Sequence, residues 1–455
     1  MGIVRIIAAV SFIAFIVSLV LVISFNLAAA ADVPAFSLNE VYASALEKAE
    51  RIGISDQDIV IADRGKDKAL AALLPRLSTF YNYTHYSEAK TAGAMLLQPD
   101  NLKNYGARAD YTLSLGGREF FARSGAALTA DRSRLDNEAF REAYLITVTG
   151  SYYDVFRTKK LAEISRASIE RLSKYRAAAA TRLKIGEVTK TAVLRAEAEL
   201  SGAQSELIRI ENLHSYTRAL LSRLAGLPES YALREPSKDD EEFIDAIVPG
   251  CAPLNALCAK ERAFADRPEM KAAELLVSSS KAQLNAARSA FLPTVSLEGV
   301  YSRFDQKPDS LFINKESIYG GIRLNFPIFE GGLRIAETGE ARARLRQAEL
   351  TVNDTKKAVA LEVDQAYLDL LTQQGILKSL SDQVSFARDN YNAVSRQFEF
   401  GLANSLDVFD ANDLLVAAER QYSNARYDYF LALVKMKRAT GSFLKTVSPR
   451  APRQN

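Results

Sequence analysis

Tyr105-Gly-Ala107-Arg-Ala109-Asp-Tyr111-Thr-Leu113-Ser-Leu115 alternates without a break. Odd positions are apolar or aromatic, and even positions are Gly106, Arg108, Asp110, Thr112 and Ser114. A period of two is the mark of a strand with one apolar and one polar face. Three further stretches read the same way: Leu77-Ser-Thr79-Phe-Tyr81-Asn-Tyr83, Val295-Ser-Leu297-Glu-Gly299-Val-Tyr301, and Ile318-Tyr-Gly320-Gly-Ile322-Arg-Leu324-Asn-Phe326-Pro-Ile328. Each runs to about ten residues, the length that crosses a bilayer when tilted. Four strands cannot close a barrel, and hydrocarbon tolerates no open sheet edge. Either the sheet stays out of lipid, or several chains pool their strands. Three chains giving four each would close a twelve-stranded barrel, which is the physical argument for a homotrimer.

Outward from these strands the chain is written twice. Tyr152 and Tyr367, Gly186 and Gly401, and Gly226 and Gly441 are each separated by 215 residues. Leu74-Pro75 and Leu292-Pro293 are separated by 218, so a small length change lies between the blocks. A colinear set of this kind marks an internal duplication. One copy covers residues 32–227 and the other 228–441, with a tail at 442–455 expected to be disordered.

The first copy carries strands at about 76–86 and 105–116, a long helix at about 118–183 and a return helix at about 187–225. The second carries strands at about 294–304 and 317–329, a long helix at about 333–400 and a return helix at about 404–440. The stretch from Arg118 to Leu183 holds no proline and would span roughly 100 Å as one helix. In its counterpart, Leu345, Ala348, Val352, Val359, Ala366 and Leu370 recur at coiled-coil spacing. The seam is weak, which suits helices packed laterally on two neighbours. Glycine turns at Gly186 and Gly401 end the long helices. A short helix precedes each Leu-Pro, Ser55 to Leu73 and Pro268 to Phe291. Stacked end to end with the return helix, it would match the long helix in length. The polar, turn-rich segments Ser87 to Asn104 and Asp305 to Ser317 read as external loops, and the charged stretch from Pro228 to Asp266 as a belt around the helices. The fold class is thus mixed α and β, mostly α.

The chain has 455 residues, 48% of them apolar and 25% charged, with a formal net charge of +3. Acids and bases alternate with no long basic block, so nucleic acid has no electrostatic footprint. Arg5, an apolar run from Ile6 to Leu27 and the alanines 28–31 describe a signal peptide over residues 1–31, in competition with an uncleaved anchor. An exported protein meets an oxidising compartment. There the two cysteines, Cys251 and Cys258, either close a short loop as a disulfide, the favoured state, or remain thiols. Neither a metal shell nor a cofactor motif is present. His85 and His214, the only histidines, sit on unrelated segments and read as surface residues. No phosphate loop or nucleophile elbow accompanies them, so the chain reads as no enzyme.

Three segments carry a family resemblance: Gly401-Leu-Ala-Asn-Ser-Leu-Asp407-Val-Phe-Asp410-Ala leading to Asn424-Ala-Arg-Tyr427-Asp-Tyr429, then Phe326-Pro-Ile328-Phe-Glu-Gly-Gly332, and Ala290-Phe-Leu-Pro293. With the duplicated order of elements, the mature chain resembles the TolC-type outer-membrane efflux channels. The resemblance implies a trimer with a twelve-stranded barrel in the outer membrane of a Gram-negative bacterium, continued by a long α-helical barrel into the periplasm. It implies the passive duct of a tripartite efflux pump or type I secretion system. The partners would be a periplasmic adaptor of the membrane-fusion type, an inner-membrane transporter of the RND, ABC or MFS class, and outer-membrane lipid.

The resemblance also implies a gate at the helical tip, with Asp407 and Asp410 as rings of carboxylates. On spacing alone these acids read equally as first-turn residues of a helix capped by Asn404. Their counterparts in the first copy are Ala192 and Arg195. Phe398 and Ala403 stand where a hydrogen-bonding tyrosine and a latch arginine are found in the family, so packing of Phe398 and Phe400 is expected to hold the closed end instead. The rival reading is a secreted coiled-coil adaptor or a structural protein, which should lack bilayer-length paired strands and carry a compact β domain.

Overall fold

The computed structural model describes residues 35–93, 95–236, 247–248, 250–251, 254–308 and 314–447. The expected signal segment, the Lys238–Glu242 acid run and residues 448–455 lie outside them. Each copy opens with an 11-residue helix, α1 (Leu38–Lys48) or its counterpart Ala256–Asp266, numbered α5 below. Both start on a side-chain cap: Ser37 forms a capping box with Glu40, and Asn255 accepts from the Cys258 N–H. A 22-residue helix follows, α2 (Glu50–Ala71) in the first copy. Two strands, β2 (Arg76–His85) and β5 (Asn101–Ser114), are linked through the short hairpin β3 (Lys90–Ala92) and β4 (Met95–Gln98). The long helix α3 (Arg118–Lys184) and the return helix α4 (Lys190–Ala225) complete the first copy. The second copy repeats the order: α5, α6 (Pro268–Ser289), β7 (Thr294–Lys307), β8 (Glu316–Asn325), α7 (Leu333–Glu399) and α8 (Ser405–Ala439). Both long helices have 67 residues, and both begin on a left-handed glycine, Gly117 or Gly332.

Several boundaries differ from the sequence expectation. The helix before Pro75 starts at Glu50, since Ala49 turns extended and breaks it from α1. The segment read as an external loop over 87–104 contains a hairpin, and β5 starts at Asn101 because its N-terminal residues pair with both β2 and β7. The tail does not begin unstructured at 442. Residues Phe443–Val447 form a further helix, α9, because Phe443 is buried edge-on against Tyr42, with the ring centroids 5.7 Å apart.

Two layers of packing result. The strands form one antiparallel sheet in the order β2-β5-β7-β8, with both outer strands unpaired on one side. The helices lie side by side in the same sense. Near the sheet the order is α2, α3, α6, α7, and farther away it is α4, α3, α8, α7. A belt joins the two halves, built from α1, α5, α9 and a parallel pair of short strands, β1 (Ala35–Phe36) and β6 (Ala232–Leu233). The large core cluster sits at this level, where Tyr152, Tyr153, Phe156, Tyr427 and Phe430 pack ring on ring. Cys251 and Cys258 are bonded here, their Cα atoms 5.9 Å apart, pinning the belt loop to α5.

The end of each return helix abuts a junction of stacked helices. Gly441, at φ +70°, lies so close that a Cβ would come within 2.9 Å of the Arg267 nitrogen between α5 and α6. Gly226, at φ +63°, meets Lys48 in the same way at the α1–α2 junction. Only glycine allows both the left-handed turn and this approach.

Arg267 is 2% exposed and donates to Glu269 at 2.9 Å and to Glu362 at 2.7 Å. Arg438 pairs with the same two acids. Burial opposes ionisation of Glu269, but the Arg267 and Arg438 charges prevail and hold its pKa below the usual carboxylate value. Beside them Glu142, 2% exposed, has one carboxylate oxygen without a hydrogen-bond partner. Burial first, and then the charge of Glu269, push its pKa up to about 7, against the Leu444 N–H, Arg438 and Arg267. A folded-state pKa raised from 4.5 contributes stability below that value that is lost as pH rises towards 7. Glu142→Gln should therefore leave acid stability near wild type and raise it by up to about 3 kcal/mol above neutrality. Thermal melts at pH 5 and pH 8 check this: a difference between the two pH values that survives in the variant counts against it.

Candidate pore and gate

The sheet sorts its side chains by register. Cross-strand partners share a face, so Arg76, Asp110 and Glu298 stand together, as do Thr112 and Ser296. This polar face carries Arg108, whose Nε lies 2.8 Å from Asp110 and whose guanidinium also bonds Glu298. The other face presents Leu77, Tyr81, Tyr83, Ile318, Ile322 and Leu324. Leu77 is 78% exposed and Ile322 79%, so this face lacks a protein partner within one chain. Its charged residues, Lys103, Arg303, Asp305, Lys307 and Glu316, lie at the end remote from the helices. A band of exposed apolar and tyrosine side chains bounded by charges suits lipid contact. No helix among the described residues is long and apolar enough to cross a membrane.

At the opposite end, hairpins turn at Gly186 and Gly401, both left-handed at φ +79° and +78°. A small apolar cluster joins the two hairpins: Leu172, Tyr175 and Ala179 from α3, Ala196 from α4, Phe398 from α7, and Val408 and Phe409 from α8. Phe398 is buried against Tyr175, with the ring centroids 4.8 Å apart. Phe400 is not brought to this cluster; it is 78% exposed beside the turn. Asp407 and Asp410 both lie on the exposed side of the first two turns of α8. Asp407 closes a capping box, accepting from the Asn404 N–H at 2.9 Å while Asn404 caps the Asp407 N–H. The helix-cap role thus applies to Asp407, whereas Asp410 makes no hydrogen bond or ion pair among the described residues. Arg195, the counterpart of Asp410, sits 5.7 Å over the Phe409 ring.

The residue that sequence reasoning missed is Arg182. It lies in the last turn of α3 and reaches across to the second hairpin. Its Nη1 donates to the Phe398 carbonyl at 2.7 Å and its Nη2 to the Glu399 carbonyl at 3.2 Å. Its guanidinium stands 4.8 Å over the Phe398 ring, and its Nε lies 3.1 Å from Glu187. A hydrogen-bonded tie between the hairpins therefore exists, donated by the first copy. The acceptors are carbonyls of the last turn of α7, where the Phe398 oxygen also accepts from the Gly401 N–H at 3.0 Å. Backbone acceptors have no sequence signature, so only the length match of the two hairpins hinted at it. The histidines take no part: His85 bonds Asn101 across the strand pair, and half-buried His214 bonds Thr158 on the hairpin shaft. Among the described residues no group of three or more His, Cys, Asp or Glu could hold a metal ion.

Comparison with known proteins agrees with this geometry. The chain is 23% identical over 418 residues to the outer membrane efflux protein BepC of Brucella suis, covering 89% of this chain and 86% of BepC. It is 23% identical over 414 residues to the alkaline protease secretion protein AprF of Pseudomonas aeruginosa, covering 89% and 84%. A membrane protein from Pseudomonas aeruginosa has the same fold, with a TM-score of 0.77 at 22% identity over 89% of this chain and 93% of that one. The family model for outer membrane efflux proteins matches residues 260–442. Over most of its length the chain is thus similar to the outer membrane efflux proteins, the TolC-type channels.

Proposed function

We propose that three copies of this chain close their sheets into a twelve-stranded outer-membrane barrel, continued by a helical tunnel into the periplasm. The chain is a passive channel of the outer membrane and not an enzyme. The observation that carries the trimer is the pair of open edges. At the sheet, β2 and β8 each have a free side; at the helices, α7 is free on one edge and α2 with α4 on the other. A sheet whose apolar face meets lipid must lose both free edges, and joining β8 to the β2 of a neighbour does so. The same joint brings α7 against α2 and α4, so one rotation closes both layers. The duct would serve a tripartite efflux pump or a type I secretion system, met at its tip by a periplasmic adaptor and an inner-membrane transporter. Relatives named for efflux and for protease secretion fit one open tube whose cargo is chosen upstream.

The tip would be its gate. Arg182 and the Phe398 cluster hold the hairpins together, and Asp410, with Asp407, would line the constriction as rings of carboxylate. Such rings favour cations.

The test is the detergent-extracted protein. A trimer that migrates intact unheated and falls apart on boiling, recovered from the outer-membrane fraction, is expected. Ile322→Arg places a charge in the lipid-facing band and should cost roughly 2–4 kcal/mol per chain, depleting the assembled form. A water-soluble monomer with no affinity for micelles would refute the assembly.

A further inference from the structure

The polar face of the sheet carries five charged residues, and their pairing is unequal. Arg108 engages both carboxylates, Asp110 and Glu298. Arg76 and Arg323 have no acid left, and neither makes an ion pair among the described residues. They stand on the two free-edge strands, Arg76 as the first residue of β2 and Arg323 two residues before the end of β8. Both positions are at the helix-proximal end of the sheet. Their registers are close, since Arg76 aligns through Asp110 with Glu298, and Arg323 aligns with Ser296. Both side chains are exposed.

We infer that Arg76 and Arg323 line the inner mouth of the barrel as an anion-attracting ring that binds polyvalent anions bearing phosphate or carboxylate groups. The inference rests on the trimer proposed above. Joining β8 to a neighbour's β2 brings Arg323 of one chain to Arg76 of the next, on the lumen side of every seam. Two guanidiniums without carboxylate partners would then face water at each of three seams. Within each chain Arg108 and its two acids carry a net charge of minus one, which the two seam cations outweigh. The lumen at this level is therefore positive, opposite in sign to the carboxylates at the tip. Cations held close together along a low-dielectric wall raise the local concentration of anions. The guanidinium fork matches phosphate and carboxylate oxygens two at a time.

The probe is ATP added to the side of the barrel opening, with the trimer reconstituted in a planar bilayer in low salt. Wild type should show current block that weakens as salt rises. Arg76→Gln with Arg323→Gln should lose about tenfold or more in blocking affinity. Arg76→Lys with Arg323→Lys, which keeps the charge, should retain most of it and controls for misassembly. Unchanged block in a glutamine variant that runs as an intact trimer overturns this inference alone. A wild-type chain that is monomeric in detergent overturns the assembly and this inference together.

Discussion

Arg267→Met is expected to destabilise the folded chain by about 3 kcal/mol, the low end for a broken buried pair, because Arg267 is buried while its acids Glu269 and Glu362 are only partly so. Arg267 is the cap residue between α5 and α6, and its guanidinium reaches Glu269 on its own helix and Glu362 on α7. Arg438 from α8 shares both acids, so four helices meet on one charge network. Removing Arg267 leaves two carboxylates on a single remaining arginine, next to Glu142. A partial rescue is expected from Arg267→Met combined with Glu362→Gln, because the second change removes the stranded charge. Arg344→Gln breaks an i,i+4 pair with Glu340 whose side chains are both about three-fifths exposed, and should move stability by no more than about 0.5 kcal/mol. Thermal unfolding of the three variants in detergent gives the comparison. If Arg267→Met melts with the Arg344 variant, the network is not an anchor of the belt.

The second large effect is expected at the tip. Arg182→Gln should shift the channel from closed towards open, because two hydrogen bonds from a charged donor and a cation–π contact go together. Roughly 3 kcal/mol is a fair combined value, and it is worth on the order of a hundredfold in the closed-to-open ratio. Arg182→Lys keeps the charge but offers no planar fork, so it should fall between wild type and Gln. Phe398→Ala opens a cavity against Tyr175 and should act in the same direction. Asp410→Asn tests a different property: it should reduce block by divalent cations without loosening the tie. Single-channel conductance and cation block in planar bilayers separate the two. A closed-state conductance in Arg182→Gln equal to that of wild type would show that the tie does not hold the gate.

What could be read from the amino acids was whatever repeats or alternates along the chain. The duplication surfaced because Gly186 and Gly401, or Gly226 and Gly441, occupy turns whose left-handed backbone admits few other residues. The strands surfaced because one face meets an apolar surround and the other does not, which writes a period of two into the sequence. Asn404 as a helix cap surfaced for a similar local reason. Contacts between distant segments left no such trace. Arg182 binds backbone carbonyls that any residue would offer, Arg267 meets Glu362 across 95 residues of chain, and the α1 and α5 helices of the belt are only 11 residues long. Phe398 and Phe400 looked equivalent in sequence, yet helix geometry buries one and exposes the other. Local periodicity therefore determined the elements and their duplication. Which side chains meet at the belt and at the tip was decided only in three dimensions, because partners separated by a whole repeat are chosen by how the helices lie side by side.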